Sequence, residues 1–197
     1  MKNYEEIKKI VKKSNGIITS KEMKEKKISN YYVQKLIDDN ILERYSRGFY
    51  IRTDIFEDEF YILQQRNSKL VFSYNTALYF LNETERTPEN IDVTVYKGYN
   101  VHRLSKNVKV HYVLKENLYL GAIETQTPQG FKVMAYNLER TLCDIIKNKD
   151  TGMDKEQINK FIQKMLLKNK VDSIVLIEYA KRLKCENKVR EIMDYLM

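Results

Sequence analysis

The chain predicts an α+β protein in two parts: an N-terminal winged helix-turn-helix, then a C-terminal α+β domain whose mainly antiparallel sheet is covered by helices. Three observations carry this. Three helical patterns and a hairpin signal fall within the first 52 residues. From Leu70 the pattern changes to strand-like runs whose connections look too short for helical crossovers. Amphipathic helical segments then fill the chain from Leu138 onward. The expected division is residues 1–54 for the winged helix, 55–69 for a bridging helix or linker, and 70–197 for the second domain.

The first helix is expected from Tyr4 to about Lys13, with Tyr4, Ile7, Ile10 and Val11 inward and a lysine-rich outer face. Asn15-Gly16 ends it. Thr19-Ser20-Lys21-Glu22 has the form of a capping box, so a second, short helix starts there with Met23 as its core contact. Ser29 is placed to cap a third helix, whose apolar stripe is Val33, Leu36, Ile37 and Ile41. That helix stops at Asp39-Asn40. Ile41 to Tyr45 and Phe49 to Ile51 read as two strands around the turn Ser46-Arg47-Gly48, where glycine supplies positive φ.

Asp54 to Gln65 reads as a bridging helix. Beyond it come a short strand at Val71-Phe72, a helix from Thr76 to Asn82, and strands at Ile91–Tyr96, Val108–Leu114, Tyr119–Thr125 and Phe131–Ala135. Asn137 caps a helix from Leu138 to Lys147 with Leu138, Leu142, Cys143, Ile145 and Ile146 inward. Further helices are expected at Asp154–Lys168, Asp172–Leu183 and Lys188–Leu196.

Composition bounds the function. Hydrophobic residues at 43% and charged residues at 31%, with six glycines and two prolines, describe an ordinary folded chain of 197 residues. The net charge of +8 is unevenly placed: residues 1–52 hold 13 Lys and Arg against 7 Asp and Glu, the rest 22 against 20. A basic excess gathered at one end attracts a polyanion through counterion release, so double-stranded DNA is the expected partner of that end. Cys143 and Cys185 sit apart in apolar helical patterns, without the spacing of a disulfide framework or a zinc site. The N-terminal residues lack the apolar run of a signal peptide, and no stretch approaches membrane-spanning length. A cytoplasmic protein with no membrane partner is expected.

The residues expected on DNA are Asn30, Tyr31, Gln34 and Lys35 on the outer face of the third helix, with Arg44, Ser46 and Arg47 on the wing. Asn and Gln pair bidentately with adenine, Tyr reaches phosphates or thymine methyls, and Arg at a wing tip clamps phosphate or enters a narrow minor groove. The bland alternative is a solvated helix face and surface arginines paired with Glu43; the wing following the helix favours DNA. No catalytic set is expected. Glu139, Arg140, Thr141 and Asp144 suit a helical i,i+4 ion pair and a favourable first-turn charge better than phosphate chemistry. Asp92 with Glu124 lacks the lysine of a metal-dependent nuclease, and His102 and His111 read as exposed strand residues with no metal-ligand spacing. Neither metal nor cofactor is expected.

The order of these runs resembles the AbiEi family, antitoxins of bacterial abortive-infection systems. In the first part the resemblance lies in Gly16-Ile17-Ile18-Thr19, Ile28-Ser29 and Gly48-Phe49-Tyr50. In the second it lies in Phe72 to Leu78, Ile91 to Val95, Thr127-Pro128-Gln129-Gly130, and Leu138 to Asp144. The resemblance implies an N-terminal domain that represses its own operon, and a C-terminal domain that opposes a nucleotidyltransferase-like toxin. It implies type IV behaviour, in which antitoxin and toxin form no stable complex. The other reading is a one-component, ligand-responsive repressor with no toxin partner.

Overall fold

Periodicity, caps and turn residues sort the chain into helices and two sheets, making a mixed α+β protein. The structure is a computed structural model that describes residues 4–14, 16–84, 86–101, 104–148, 155–168 and 170–196. The chain divides into two units: residues 1–62 with 129–131, and residues 63–128 with 132–197.

In the first unit, α1 (Tyr4–Lys13) buries Ile7 and Val11 one turn apart. Asn15, expected to help end this helix, lies outside the described residues; Gly16 takes φ +91. β1 (Ile17–Thr19) leads into α2 (Ser20–Glu25) through the expected capping box: Glu22 N–H donates to Thr19 Oγ1 at 3.1 Å and Thr19 N–H to Glu22 Oε2 at 2.7 Å. α3 (Asn30–Asp38) buries Val33 and Leu36 and ends where Asn40 turns to φ +53. Ser29 occupies the N-cap position, but its side chain makes no capping bond, contrary to expectation. Its carbonyl instead accepts from Tyr32 and Val33 N–H.

β2 (Leu42–Ser46) and β3 (Phe49–Arg52) form the expected hairpin, with Gly48 at φ +84 and a register shift between Arg44 and Ser46. β1 adds a strand to it, antiparallel to β3, giving the order β1-β3-β2. One apolar cluster packs Ile7, Val11, Ile18, Met23, Val33, Leu36 and Leu42 beneath the helices. A second gathers Ile17, Phe49, Ile51, Ile62 and Phe131. The expected helix from Asp54 begins later, as α4 (Glu59–Arg66). Asp58 accepts from Tyr61 N–H at 2.8 Å and so sets the start, while Asp54 is held by Arg52.

In the second unit, β4 (Val71–Phe72), β5 (Ile91–Tyr96), β6 (Val108–Val113), β7 (Ala122–Gln126) and β8 (Lys132–Tyr136) lie in the order β6-β5-β4-β8-β7. The sheet is mixed rather than mainly antiparallel: β4–β5 and β7–β8 are antiparallel, whereas β5–β6 and β4–β8 are parallel. The expectation failed because it equated a parallel neighbour with a helical crossover. A strand of six residues rises only about 20 Å, which the stretch between β5 and β6 can retrace without a helix.

The helices of this unit are α5 (Tyr74–Phe80), α6 (Leu138–Lys147), α7 (Lys155–Leu167), α8 (Ser173–Arg182) and α9 (Glu186–Leu196). Asp154, expected to open α7, lies outside the described residues. Asn137 caps α6 as expected, accepting from Arg140 N–H at 3.1 Å. Leu142, Cys143, Ile145, Ile162, Leu176, Ala180 and Val189 form the helical core. Both cysteines are buried and free. Gln64 ties strand to loop, donating to Leu70 and Met134 carbonyls at 3.0 and 2.9 Å and accepting from Met134 N–H at 2.8 Å.

Candidate nucleic-acid interface

The outer face of α3 follows from its inner one. With Val33 and Leu36 turned inward, the 3.6-residue repeat leaves Asn30, Tyr31, Gln34 and Lys35 outward, and all four are exposed. Tyr31 is the most prominent, 70% exposed with its ring edge-on to Tyr32 at 5.3 Å. Gln34 Nε2 donates to Asp38 Oδ1 at 2.9 Å, which holds the amide. Lys35 is held differently: its ammonium lies 4.4 Å from the centre of the Tyr4 ring, with Lys8 over the same ring at 4.6 Å. The Tyr4 hydroxyl donates in turn to Asp39, tying α1 to the end of α3.

Charge polarises this face. Asp38 and Asp39 stand at its C-terminal end and repel phosphate, whereas Asn30, Tyr31 and Gln34 stand at the N-terminal end, where the helix dipole is positive. The half of α3 suited to approach a polyanion is therefore its first half. Lys24 and Lys27, exposed just before α3, add to it; in the sequence only their charge, not a pattern, sets them apart.

On the hairpin Arg44 and Arg47 are exposed and Ser46 is half-buried. Neither arginine makes an ion pair among the described residues, so the alternative of neutralisation by Glu43 does not occur there. Arg52 differs: it donates through Nε to Asp54 at 2.8 Å, and that hydrogen bond holds the Asp54 carboxyl below its ordinary range. The hairpin thus keeps two free guanidinium groups near its tip and one spent at its base.

The other candidates resolve into structural roles or new positions. Arg140 is wholly buried, with Nε 2.9 Å from Asp144 Oδ2, Nη1 donating to the Asn117 and Leu120 carbonyls at 2.7 and 2.8 Å, and its guanidinium over the Tyr136 ring. The i,i+4 pair is the expected one, but it is a core feature. Glu139 accepts from Asp172 N–H at 3.0 Å. His111, expected to be exposed, is instead mostly buried and bonded to Asp92 at 2.8 Å, because its side of β6 faces α5. His102 lies outside the described residues. Glu124 pairs with Lys132 rather than with Asp92.

Among the described residues no group of three or more His, Cys, Asp or Glu could hold a metal ion, and no helix is long and apolar enough to cross a membrane. The chain matches no protein-family model, and no curated protein matches it.

Proposed function

We propose that the protein is a cytoplasmic DNA-binding antitoxin, whose first unit is a winged helix that represses its own operon and whose second unit opposes a nucleotidyltransferase-like toxin. The observation that carries the DNA reading is the juxtaposition of an outward α3 face bearing Asn30, Tyr31 and Gln34 with a hairpin whose Arg44 and Arg47 are unneutralised. The order helix, strand, helix, helix, hairpin, with the first strand laid against the hairpin, supports the winged-helix reading. α3 enters the major groove with its N-terminal half, and the wing arginines take backbone or the minor groove. The antitoxin part rests on the resemblance to AbiEi antitoxins, and includes action without a stable complex with the toxin.

The DNA reading is tested by fluorescence anisotropy on the duplex upstream of the gene. Arg44→Ala with Arg47→Ala should weaken binding by about 1–3 kcal/mol and lower the salt slope by about 2, since two phosphate-neutralising charges are lost. Asn30→Ala with Gln34→Ala should instead reduce the preference for that duplex over unrelated DNA. Unchanged binding in both variants would exclude this face. For the antitoxin part, the adjacent gene is induced with and without this chain. Growth arrest relieved by a chain carrying Arg44→Ala and Arg47→Ala would separate antitoxicity from repression, and absence of any toxicity would reject the antitoxin reading.

A further inference from the structure

Asp92 is an awkward residue to place where it is. It is the second residue of β5, between Ile91 and Val93 and itself only 5% exposed, and a carboxylate largely taken out of water there costs free energy unless it finds partners. One does: Oδ1 lies 2.8 Å from His111 Nε2. Oδ2 has no hydrogen bond among the described residues. The same carboxylate lines a cavity of about 610 Å³ within the second unit, large enough for a small organic molecule.

The surroundings hold this carboxylate in place. The Asp92 N–H donates to Thr76 Oγ1 at 2.9 Å, pinning the strand. Tyr74 stacks on the His111 ring with centroids 3.9 Å apart, and does so from φ +47, a left-handed conformation that costs a bulky residue about 1–3 kcal/mol. That conformation sets the Tyr74 ring over the imidazole that holds Asp92.

The cavity's chemistry selects the ligand. Tyr74 and Phe161 bring aromatic rings to its wall. Its mouth charges are mutually satisfied, Arg86 with Glu89 at 2.6 Å and Glu83 with Lys170 at 2.7 Å, and Lys109 on the wall has a partner of its own. What remains is one carboxylate oxygen of a largely buried residue, open to the cavity and without a hydrogen bond among the described residues, beside aromatic rings, the combination that recognises an ammonium group. We propose that the second unit binds a small organic cation, a primary amine of short aliphatic chain, with Asp92 as its anchor and His111 and Tyr74 as positioning residues. This site is independent of the DNA-binding reading.

The test titrates the full-length protein with putrescine, followed by calorimetry and by backbone amide NMR. Saturable binding with a Kd of about 1 mM or tighter is expected, with amide shifts centred on β5 and α5, and no binding of 1,4-butanediol, which has the same length and no charge. Asp92→Asn should weaken binding by about tenfold or more, and Phe161→Ala by about threefold. Phe161→Ala keeps the question decidable if Asp92→Asn fails to fold. Non-saturating shifts scattered over surface carboxylates, equal affinity for the diol, or unchanged affinity in a folded Asp92→Asn or Phe161→Ala protein would overturn the proposal. So would preferential binding of inorganic phosphate at the same amides.

Discussion

A guanidinium with no exposed surface is the most demanding single side chain in the second unit, and Arg140 meets most of its demands. Three hydrogen bonds and the Tyr136 ring surround it; Nη2 alone has no partner among the described residues. Its ion-pair partner sits in conflict: burial pushes the Asp144 carboxyl above its ordinary pKa, and the opposing pull of Arg140 does not fully cancel this. Removing Arg140 alone therefore strands a desolvated carboxylate. Arg140→Met should cost about 3–5 kcal/mol in urea denaturation, and adding Asp144→Leu should recover part of that loss, because an apolar pair of similar volume replaces a buried ionic one. A single variant as stable as the parent would mean that Arg140 is spectator packing.

At the scale of elements, the start of α6 shows how one residue without a side chain allows two others to work. Gly121, at φ +73, accepts through its carbonyl from Asn137 N–H at 2.7 Å. A Cβ there would lie 2.6 Å from Arg140 Cβ and 2.7 Å from Asn137 Oδ1, the cap of α6. Gly121→Ala should thus cost about 2–4 kcal/mol, from left-handed strain plus forced displacement of the cap. Gly48, the hairpin-turn glycine, meets only Ser20 Oγ at 3.8 Å, so Gly48→Ala should cost about 1–2 kcal/mol, from φ alone. Equal losses in denaturant melts would contradict the steric account. The hairpin glycine was legible in the sequence, because a turn residue between two strand-like runs announces itself locally, as did the capping box of α2 and the cap of α6. Gly121 was not, since its constraint comes from a helix sixteen or more residues away. The same distinction explains the misses. β1 has three residues, all buried, too few to show alternation. The parallel pairings and the His111–Asp92 bond depend on which strands become neighbours, which no local pattern encodes. Of the candidate DNA-facing residues, the α3 face was legible from helical period; the engagement of Lys35 by Tyr4 was not, because it joins residues 31 apart.

At the scale of the molecule, the first unit is not a single run of sequence. Its second apolar cluster is completed by Phe131, only 4% exposed, whose ring lies 4.7 Å from that of Tyr61 beside Ile17, Phe49, Ile51 and Ile62. Gln129 adds a hydrogen bond to the Glu57 carbonyl at 3.1 Å. Cutting the chain at the sequence-based limit of residue 54 would remove Tyr61, Ile62 and Phe131 together, leaving the β-sheet residues Ile17, Phe49 and Ile51 uncovered on that side. A small unit has little surplus burial to lose. In the full chain, Phe131→Ala should destabilise the first unit by about 3–5 kcal/mol, by transfer and cavity terms together. The loss should appear as faster amide exchange in β1 and β3, while β5 and β6 keep their protection. A fragment of residues 1–54 should show the same loss more severely, with poorly dispersed amide resonances. On the proposed DNA reading, its affinity for the upstream duplex should fall without any change on the α3 face, because the competent fold is then only a fraction of the population. If residues 1–54 instead gave a well-dispersed spectrum and full affinity, Phe131 and Ile62 would be dispensable, and the helical cluster around Leu36 would suffice to hold the hairpin against α3.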